Sequence, residues 1–273
     1  MDQNQTDQNE LNIIRKYSRQ YEYSIRGTET DMRDELVPLS LVSMLQETAS
    51  LDAERGMLGA TALDAGGYCW LLLRTSVRLS AIPKWKDRII VDTWTNGVER
   101  LFSIRDFAIT SPDGQFYGKA TTSWLVVDKK NHRPQKISVL NSQKIMEKSV
   151  SALGYNCPRL EEALFKLPES PLLSKYAGYS EIDRNSHVNN TRYVAWCMDA
   201  IGMKGIPERK WIGMDINYNS EVRMGETIDL YLADLPAEHG FCPGAKTASL
   251  IVGKHREDQK TAFISILYWG NLL

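Results

Sequence analysis

Glu181-Ile182-Asp183-Arg184-Asn185-Ser186-His187-Val188-Asn189-Asn190-Thr191-Arg192-Tyr193-Val194-Ala195-Trp196 changes character halfway along. Its first half crowds acids, amides and one of the chain's four histidines into a few residues. Its second half opens an amphipathic run. Tyr193, Trp196, Cys197, Ala200 and Ile201 recur at helical spacing, and Gly202 marks the expected end of that helix. Asn189 or Asn190 is the expected N-cap, because a short side-chain oxygen there accepts a free backbone N–H. The polar cluster therefore lies in the turn that enters a helix, facing its N–H groups and positive dipole end. Such a place suits stabilisation of a developing oxyanion. Taken singly, Asp183, Asn185 and Asn189 read as turn and cap residues, and His187 as a surface side chain. Together, beside an apolar helix, they point to a functional site.

The same order of elements occurs earlier. Residues 17–25 alternate as a strand. Leu41, Met44, Leu45, Thr48 and Leu51 then fall on one helical face, with Gly56 as terminator. Strands are expected over 70–79, 88–94, 102–110 and 116–127. The last two flank Ser111-Pro112-Asp113-Gly114, a turn of the composition a hairpin needs. In the second half, strand-like residues 176–182 lead to the helix over 190–201. Strands are then expected over 211–219, 226–232, 246–254 and 261–269. Residues 77–91 lie over 216–230, with Trp85-Lys86-Asp87 opposite Met224-Gly225-Glu226. Residues 138–172, with three prolines (Pro158, Pro168, Pro171), read as a linker that packs on the surface.

One long helix followed by an antiparallel sheet, twice over, implies an α+β fold of two tandem hotdog domains. Each is a helix wrapped by a sheet, and the two pair as an intrachain pseudo-dimer, which hides sheet edges and apolar faces. The expected boundaries are 12–137, a linker over 138–172, and 173–273, with a disordered tail over 1–11. The repeat also sets Asp31, Arg33 and Glu35 opposite Asp183, Asn185 and His187, and Ile82 opposite Glu221. The first half thus keeps the pattern but lacks the Asn, the His and the strand-end Glu.

Composition narrows the functional classes. A net charge of −1 disfavours nucleic-acid and polybasic membrane-surface binding. Four cysteines (Cys69, Cys157, Cys197, Cys242) with no CxxC pairing and no histidine at ligand spacing argue against a zinc site or a disulfide framework. The polar, acidic residues 1–10 resemble neither a signal nor a transit peptide, and no apolar run reaches membrane-spanning length. The expectation is a soluble cytoplasmic protein.

These residues carry a resemblance. Leu45-Gln46-Glu47-Thr48-Ala49, Pro83-Lys84-Trp85-Lys86-Asp87, Val91-Asp92-Thr93-Trp94, Arg105-Asp106 and Ala120-Thr121-Thr122-Ser123-Trp124 carry it in the first half. Asn185-Ser186-His187-Val188-Asn189-Asn190, Tyr193, Trp196 and Tyr218-Asn219-Ser220-Glu221 carry it in the second. Together they resemble the plant-type and bacterial acyl–acyl-carrier-protein thioesterases. His-Val-Asn-Asn alone would indicate only the broader hotdog thioesterases. The resemblance implies hydrolysis of a fatty acyl thioester to free fatty acid and holo acyl carrier protein, with Asp183, Asn185, His187 and Glu221 as the catalytic set. It implies no metal and no cofactor beyond the phosphopantetheine that the carrier protein brings. Many plant members have a Cys directly after this Glu; here the position is Val222.

Thioester hydrolysis needs an activated water or a nucleophilic carboxylate, and a donor for the carbonyl oxygen. Glu221 is expected as general base, with direct nucleophilic attack as the variant. His187 and Asn185 would orient water and thioester, and Asp183 would fix Asn185 or its loop. Without the resemblance, Glu221 reads as a solvated charge near Arg223. The family implies an acyl channel largely in the N-terminal half, making Met44, Leu45, Thr48 and Trp70 candidate lining residues, each equally readable as core. Asn189 and Asn190 are substrate-binding candidates at the helix start. An acidic carrier protein calls for a basic patch. Lys129, Lys130, Arg133 and Lys136 form one candidate cluster; Lys204, Arg209 and Lys210 form another. Both are also readable as solvated faces. A homodimer is among the assemblies such a chain allows. Competing readings are an acyl-CoA thioesterase on the same fold, a hotdog dehydratase and a non-catalytic acyl-thioester-binding protein.

Overall fold

The structure is a computed structural model and describes residues 11–140, 142, 145, 147–205, 208–236 and 242–271. The chain forms two compact units, Met1–Leu73 with Leu79–Cys157, and Arg74–Arg78 with Pro158–Leu273. Each is an α+β unit in which one long helix packs on an antiparallel sheet, the fold class the repeat implies.

The first unit contains β1 (Arg19–Ser24), α1 (Pro38–Arg55), α2 (Ala60–Ala65), β2 (Tyr68–Leu79) except its Arg74–Arg78 stretch, β3 (Arg88–Glu99), β4 (Phe102–Thr110), β5 (Phe116–Asp128) and β6 (Pro134–Gln135). The strands run in the order β1-β3-β4-β5-β2, with β6 on β5. Pro38 starts α1, where its fixed φ suits the first turn and its missing N–H costs nothing. Leu41, Met44, Leu45 and Thr48 face inward as expected, and α1 packs on β1 and β3. Leu51, expected on that face, is exposed, and Asp52 is buried instead. Its carboxylate accepts from Arg105 Nη1 at 2.7 Å and Arg19 Nη1 at 3.1 Å, so a paired charge occupies what the pattern reserved for an apolar side chain. Ile89, Val91 and Thr93 are buried on one face of β3. The turn from β4 to β5 places Gly114 at φ 93°, a conformation that glycine adopts without a Cβ clash. Leu11, read as tail, is core: it packs with Ile14 against Trp94, Ala108 and Ala152. Residues 1–10 lie outside the described residues.

The second unit contains β7 (Leu173–Tyr176), α3 (Asn190–Met203), β8 (Lys210–Tyr218), β9 (Thr227–Pro236), β10 (Ala245–His255) and β11 (Thr261–Gly270). Its sheet order is the Arg74–Arg78 segment, β8, β11, β10, β9, β7. Tyr193, Trp196, Cys197, Ala200 and Ile201 are buried on α3 as its spacing predicts. Gly202 does not stop the helix, which continues to Met203 with Lys204 as C-cap. The strand expected over 176–182 lies earlier: β7 ends at Tyr176, and a 3-10 turn at Tyr179–Glu181 follows it. Within 138–172, Trp94 Nε1 donates to Val150 O at 2.8 Å in the first unit. The Leu160 N–H donates to Asn217 Oδ1 at 2.9 Å in the second. No helix among the described residues is long and apolar enough to cross a membrane.

Candidate active site

The loop entering α3 is built on one carboxylate. Asp183 Oδ1 accepts the Asn185 N–H at 2.7 Å, the Asp183 carbonyl accepts Ser186 N–H at 3.0 Å, and Asp183 N–H donates to His187 O at 2.8 Å. Closing so tight a turn puts Ser186 at φ 66°, in the left-handed region. Glu181 fastens this loop to the helix. Its Oε1 accepts from Trp196 Nε1 at 2.8 Å, its Oε2 from Gly178 N–H at 3.1 Å, and its carbonyl from Asn189 N–H at 2.9 Å. Asn189 is the N-cap, its Oδ1 accepting Thr191 N–H at 2.9 Å and the Thr191 hydroxyl at 2.8 Å. Arg192 N–H donates to Asn189 O at 2.8 Å.

Glu221 arrives from the other side. Just past β8, the N–H groups of Asn219 and Ser220 both donate to Ala262 O, at 2.8 and 3.1 Å. That shared acceptor marks a β-bulge, a device that re-aims the side chain that follows. Beyond it the chain pairs with the loop: Val188 N–H donates to Val222 O at 2.8 Å, and His187 bridges Arg223 in antiparallel register. This short ladder brings His187 Nε2 to 3.1 Å from Glu221 Oε2, with the two side chains 21% and 39% exposed. The pair is therefore preorganised and still open to water. Tyr193, buried on α3, is hydrogen-bonded through its hydroxyl to the Val222 backbone, and burial raises its pKa. Its ring packs edge-on against Tyr218 and Phe263, with centroids 5.5 and 5.3 Å away, so the segment after Glu221 rests on an aromatic floor.

The structure thus brings His187 and Glu221 into contact and sets Asp183 to shaping the loop, with the exposed Asn185 at its tip. Asn189 spends its oxygen on the cap, and Asn190 is the first helical residue. Met44, Leu45, Thr48 and Trp70 belong to the first unit. Thr48 Oγ1 shares a hydrogen bond with Tyr23 Oη at 2.7 Å, and Trp70 Nε1 donates to Leu58 O at 2.8 Å. Sequence reading gave Glu181 no role. The signal was its place opposite Glu29, whose Oε2 accepts Arg26 N–H and whose carbonyl accepts Val37 N–H in the first unit.

The two loops share most of their backbone hydrogen bonds. In the first unit Asp31 N–H donates to Glu35 O at 2.8 Å, Arg33 N–H to Asp31 Oδ1 at 2.8 Å, and Asp34 sits at φ 59°. Leu36 N–H donates to Pro83 O, and a bulge puts Ser80 and Ala81 N–H on Tyr117 O. Glu35 thus stands where His187 does, and Ile82 where Glu221 does. The turn is an element of the fold; the His–Glu pair is an addition of the second unit.

Three of the four cysteines are poorly suited to nucleophilic work. Burial pushes the Cys197 thiol up to about 12 and the Cys242 thiol up to about 11, and Cys157 is buried. Val222, directly after Glu221, is fully buried.

The family models described as acyl-ACP thioesterase N-terminal domain and C-terminal domain match residues 15–140 and 170–265. Oleoyl-acyl carrier protein thioesterase 1, chloroplastic, of Arabidopsis thaliana is 22% identical over 83% of this chain and 66% of its own. An acyl-[acyl-carrier-protein] hydrolase of Cuphea viscosissima is 21% identical over 81% of this chain, which spans only 55% of that relative. Among solved structures, an acyl-ACP thioesterase from Bacteroides thetaiotaomicron shares the fold with a TM-score of 0.75 at 21% identity, over 94% of this chain and 99% of that one. The 12:0-ACP thioesterase from Umbellularia californica does so with a TM-score of 0.75 at 17% identity, over 92% and 93%. Both domain models match in the right order and cover most of the chain, which therefore belongs to the acyl-ACP thioesterase family.

Proposed function

We propose that this chain hydrolyses fatty acyl thioesters of acyl carrier protein, releasing free fatty acid and the carrier's phosphopantetheine thiol. The observation that carries this reading is the His187–Glu221 contact of 3.1 Å at the entrance to α3, with no counterpart at Glu35 and Ile82. Glu221 takes a proton from water as the water oxygen bonds to the thioester carbonyl carbon. Negative charge then develops on the carbonyl oxygen, where the start of α3 and the Asn185 carboxamide offer donors. Thr191 and Arg192 N–H are already engaged by Asn189, so the N–H of Asn190 is the helix donor assigned here. Collapse breaks the C–S bond, and the leaving thiolate recovers the proton from Glu221. His187, donating from Nε2, orients the carboxylate, and Asp183 holds the turn.

The acyl chain is assigned to the first unit, along Met44, Leu45, Thr48 and Trp70, and docking of the acidic carrier protein to a basic patch. Lys129 pairs with Asp64, and Lys204 with Asp234 at 3.2 Å, so each candidate patch is partly neutralised. The chemistry needs no cofactor, and cysteines not joined in disulfides fit a reducing compartment such as the cytoplasm. Steady-state assays with matched acyl carrier protein and CoA thioesters test this reading. Free fatty acid formed with the higher kcat/KM from the carrier-protein substrate is expected. Preference for the CoA thioester, an enoyl product, or binding without turnover would each overturn it.

A further inference from the structure

Ser220, directly before Glu221, is the second residue of the bulge. Its Oγ donates to Thr261 O at 3.1 Å and lies 3.0 Å from His255 Nε2. His255 closes β10, anchored by its own N–H to Lys260 O at 2.9 Å, and its Nδ1 lies 3.4 Å from Glu226 Oε2. Glu226 in turn accepts Arg223 N–H on Oε2 at 2.9 Å, and its carbonyl accepts Ala177 N–H at 2.9 Å. A side-chain chain thus ties the ends of β8, β10 and β11 to the turn over 223–226. The segment it encloses, 220–223, is the one that carries Glu221 and pairs with His187.

The first unit shows which part of this the fold requires. There Asp87 stands in for Glu226 and accepts Lys84 N–H at 2.8 Å, so a turn-closing carboxylate is common to both units. The bulge is common too, but Ala81 occupies the place of Ser220, and the second partner of Asp87 is Tyr117 Oη at 3.3 Å. The hydroxyl–imidazole link is therefore not demanded by the bulge or the turn. It occurs in the unit that has the His–Glu pair.

We propose that Ser220 and His255, through Glu226, are positioning residues that hold the bulged strand end so that Glu221 meets His187. This rests on the assignment of Glu221 as the base. Ser220 resembles the serine of a Ser–His–acid triad in its neighbours alone. Its Oγ lies within hydrogen-bond distance of both the Thr261 carbonyl and His255 Nε2, so its single hydrogen has a carbonyl acceptor beside the ring, and the contact ties the bulge to β10 whichever of the two takes it. The link acts on geometry, and geometry is where catalytic sites are sensitive.

The test is single-turnover and steady-state hydrolysis of an acyl carrier protein thioester by Ser220→Ala and His255→Ala, each alone and combined with Glu221→Gln. Ser220→Ala copies what the first unit carries at the matching position, so its folding is secure. Each single change is expected to lower kcat about ten-fold with KM and melting temperature nearly unchanged, a loss of the size that slight misplacement of a reacting group produces. In the Glu221→Gln background neither change should lower the rate further. Ser220→Thr, which keeps the hydroxyl, should restore most of the loss. Parent-like kcat in both single variants beside an impaired Glu221→Gln overturns the positioning role alone. So do losses that multiply with Glu221→Gln, or an acyl group trapped on Ser220. Parent-like hydrolysis by Glu221→Gln itself overturns the assignment of the base as well.

Discussion

Position 222 separates two chemistries. A buried valine follows Glu221, and the thiols of Cys197 and Cys242 are pushed up to about 12 and about 11 by burial, so neither forms thiolate near neutrality. A variant with Cys69, Cys157, Cys197 and Cys242 all replaced by Ala is expected to keep its hydrolysis rate per folded molecule. Loss of turnover in the folded variant would contradict this. Cys197, fully buried on α3, should still cost roughly 1–2 kcal/mol of stability when replaced by Ala, readable in a denaturant melt. Asn189 supplies a second single-residue case. Its oxygen caps α3, so Asn189→Ala should cost about 1 kcal/mol while Asn189→Ser should be near neutral, by the same melt. The cap was legible in the sequence because an Asn before an apolar run has few other uses. The contact of His187 with Glu221 was legible only through resemblance, since no periodic pattern joins residues so far apart.

Elements were legible where burial is one-sided. α1, α3 and β3 follow the spacing of their apolar residues because one face of each meets the core. Reading failed where polar groups are buried in pairs. Asp52 took the inward place of Leu51 because Arg105 and Arg19, far away in sequence, supply its partners. His255 and Ser220 passed unnoticed for the same reason: sheet register, not local sequence, makes them neighbours. A similar long-range clamp holds the edge strand β7 to β9. Asp229 accepts from Arg256 Nη2 at 2.6 Å and from Ser174 Oγ at 2.6 Å. The Arg256 hydrogen bond, with Ser174 and against partial burial, holds the Asp229 carboxyl below its ordinary pKa. A depressed folded-state pKa stabilises above the unfolded value and is lost as pH falls through the folded one. The clamp should therefore be fully present at neutral pH and start to weaken only as pH falls below about 4, the ordinary carboxylate value. Asp229→Asn should flatten the acid limb of melting temperature against pH; an unchanged limb would contradict the clamp.

At the scale of the molecule, the chain uses one supersecondary unit twice, and the proposed chemistry belongs to one copy. The loops over 31–37 and 183–189 share most of their backbone hydrogen bonds, so Asp31 and Asp183 are both there for the turn. The differences that bear on the proposed chemistry fall on side chains the turn does not need: Arg33 against Asn185, Glu35 against His187, Ile82 against Glu221. That repeat could be read from the sequence, because strand alternation recurs and the turn at Trp85-Lys86-Asp87 has its counterpart at Met224-Gly225-Glu226. Functional loss should follow the same division. Asn185→Ala and His187→Ala are expected to lose most hydrolysis with the fold intact, both residues lying in a loop and not in the core. Arg33→Ala, at the site matching Asn185, should stay within about two-fold of the parent rate, as surface changes outside functional features are near neutral. Equal losses in the two units, measured by steady-state hydrolysis, would contradict this division of labour.

The central claim, that Glu221 is the base, is tested most directly by single-turnover hydrolysis of an acyl carrier protein thioester by Glu221→Gln, with thermal melts alongside. Gln keeps the size and hydrogen-bonding reach of Glu but cannot take the proton from water. A positioned base contributes roughly 10²–10⁴-fold, so a rate drop of about that order is expected, with melting temperature and substrate binding little changed. Glu221→Asp, with its carboxylate retracted by one methylene, should fall between. Hydrolysis by Glu221→Gln at the parent rate would contradict the claim and move the search for the base to Asp183.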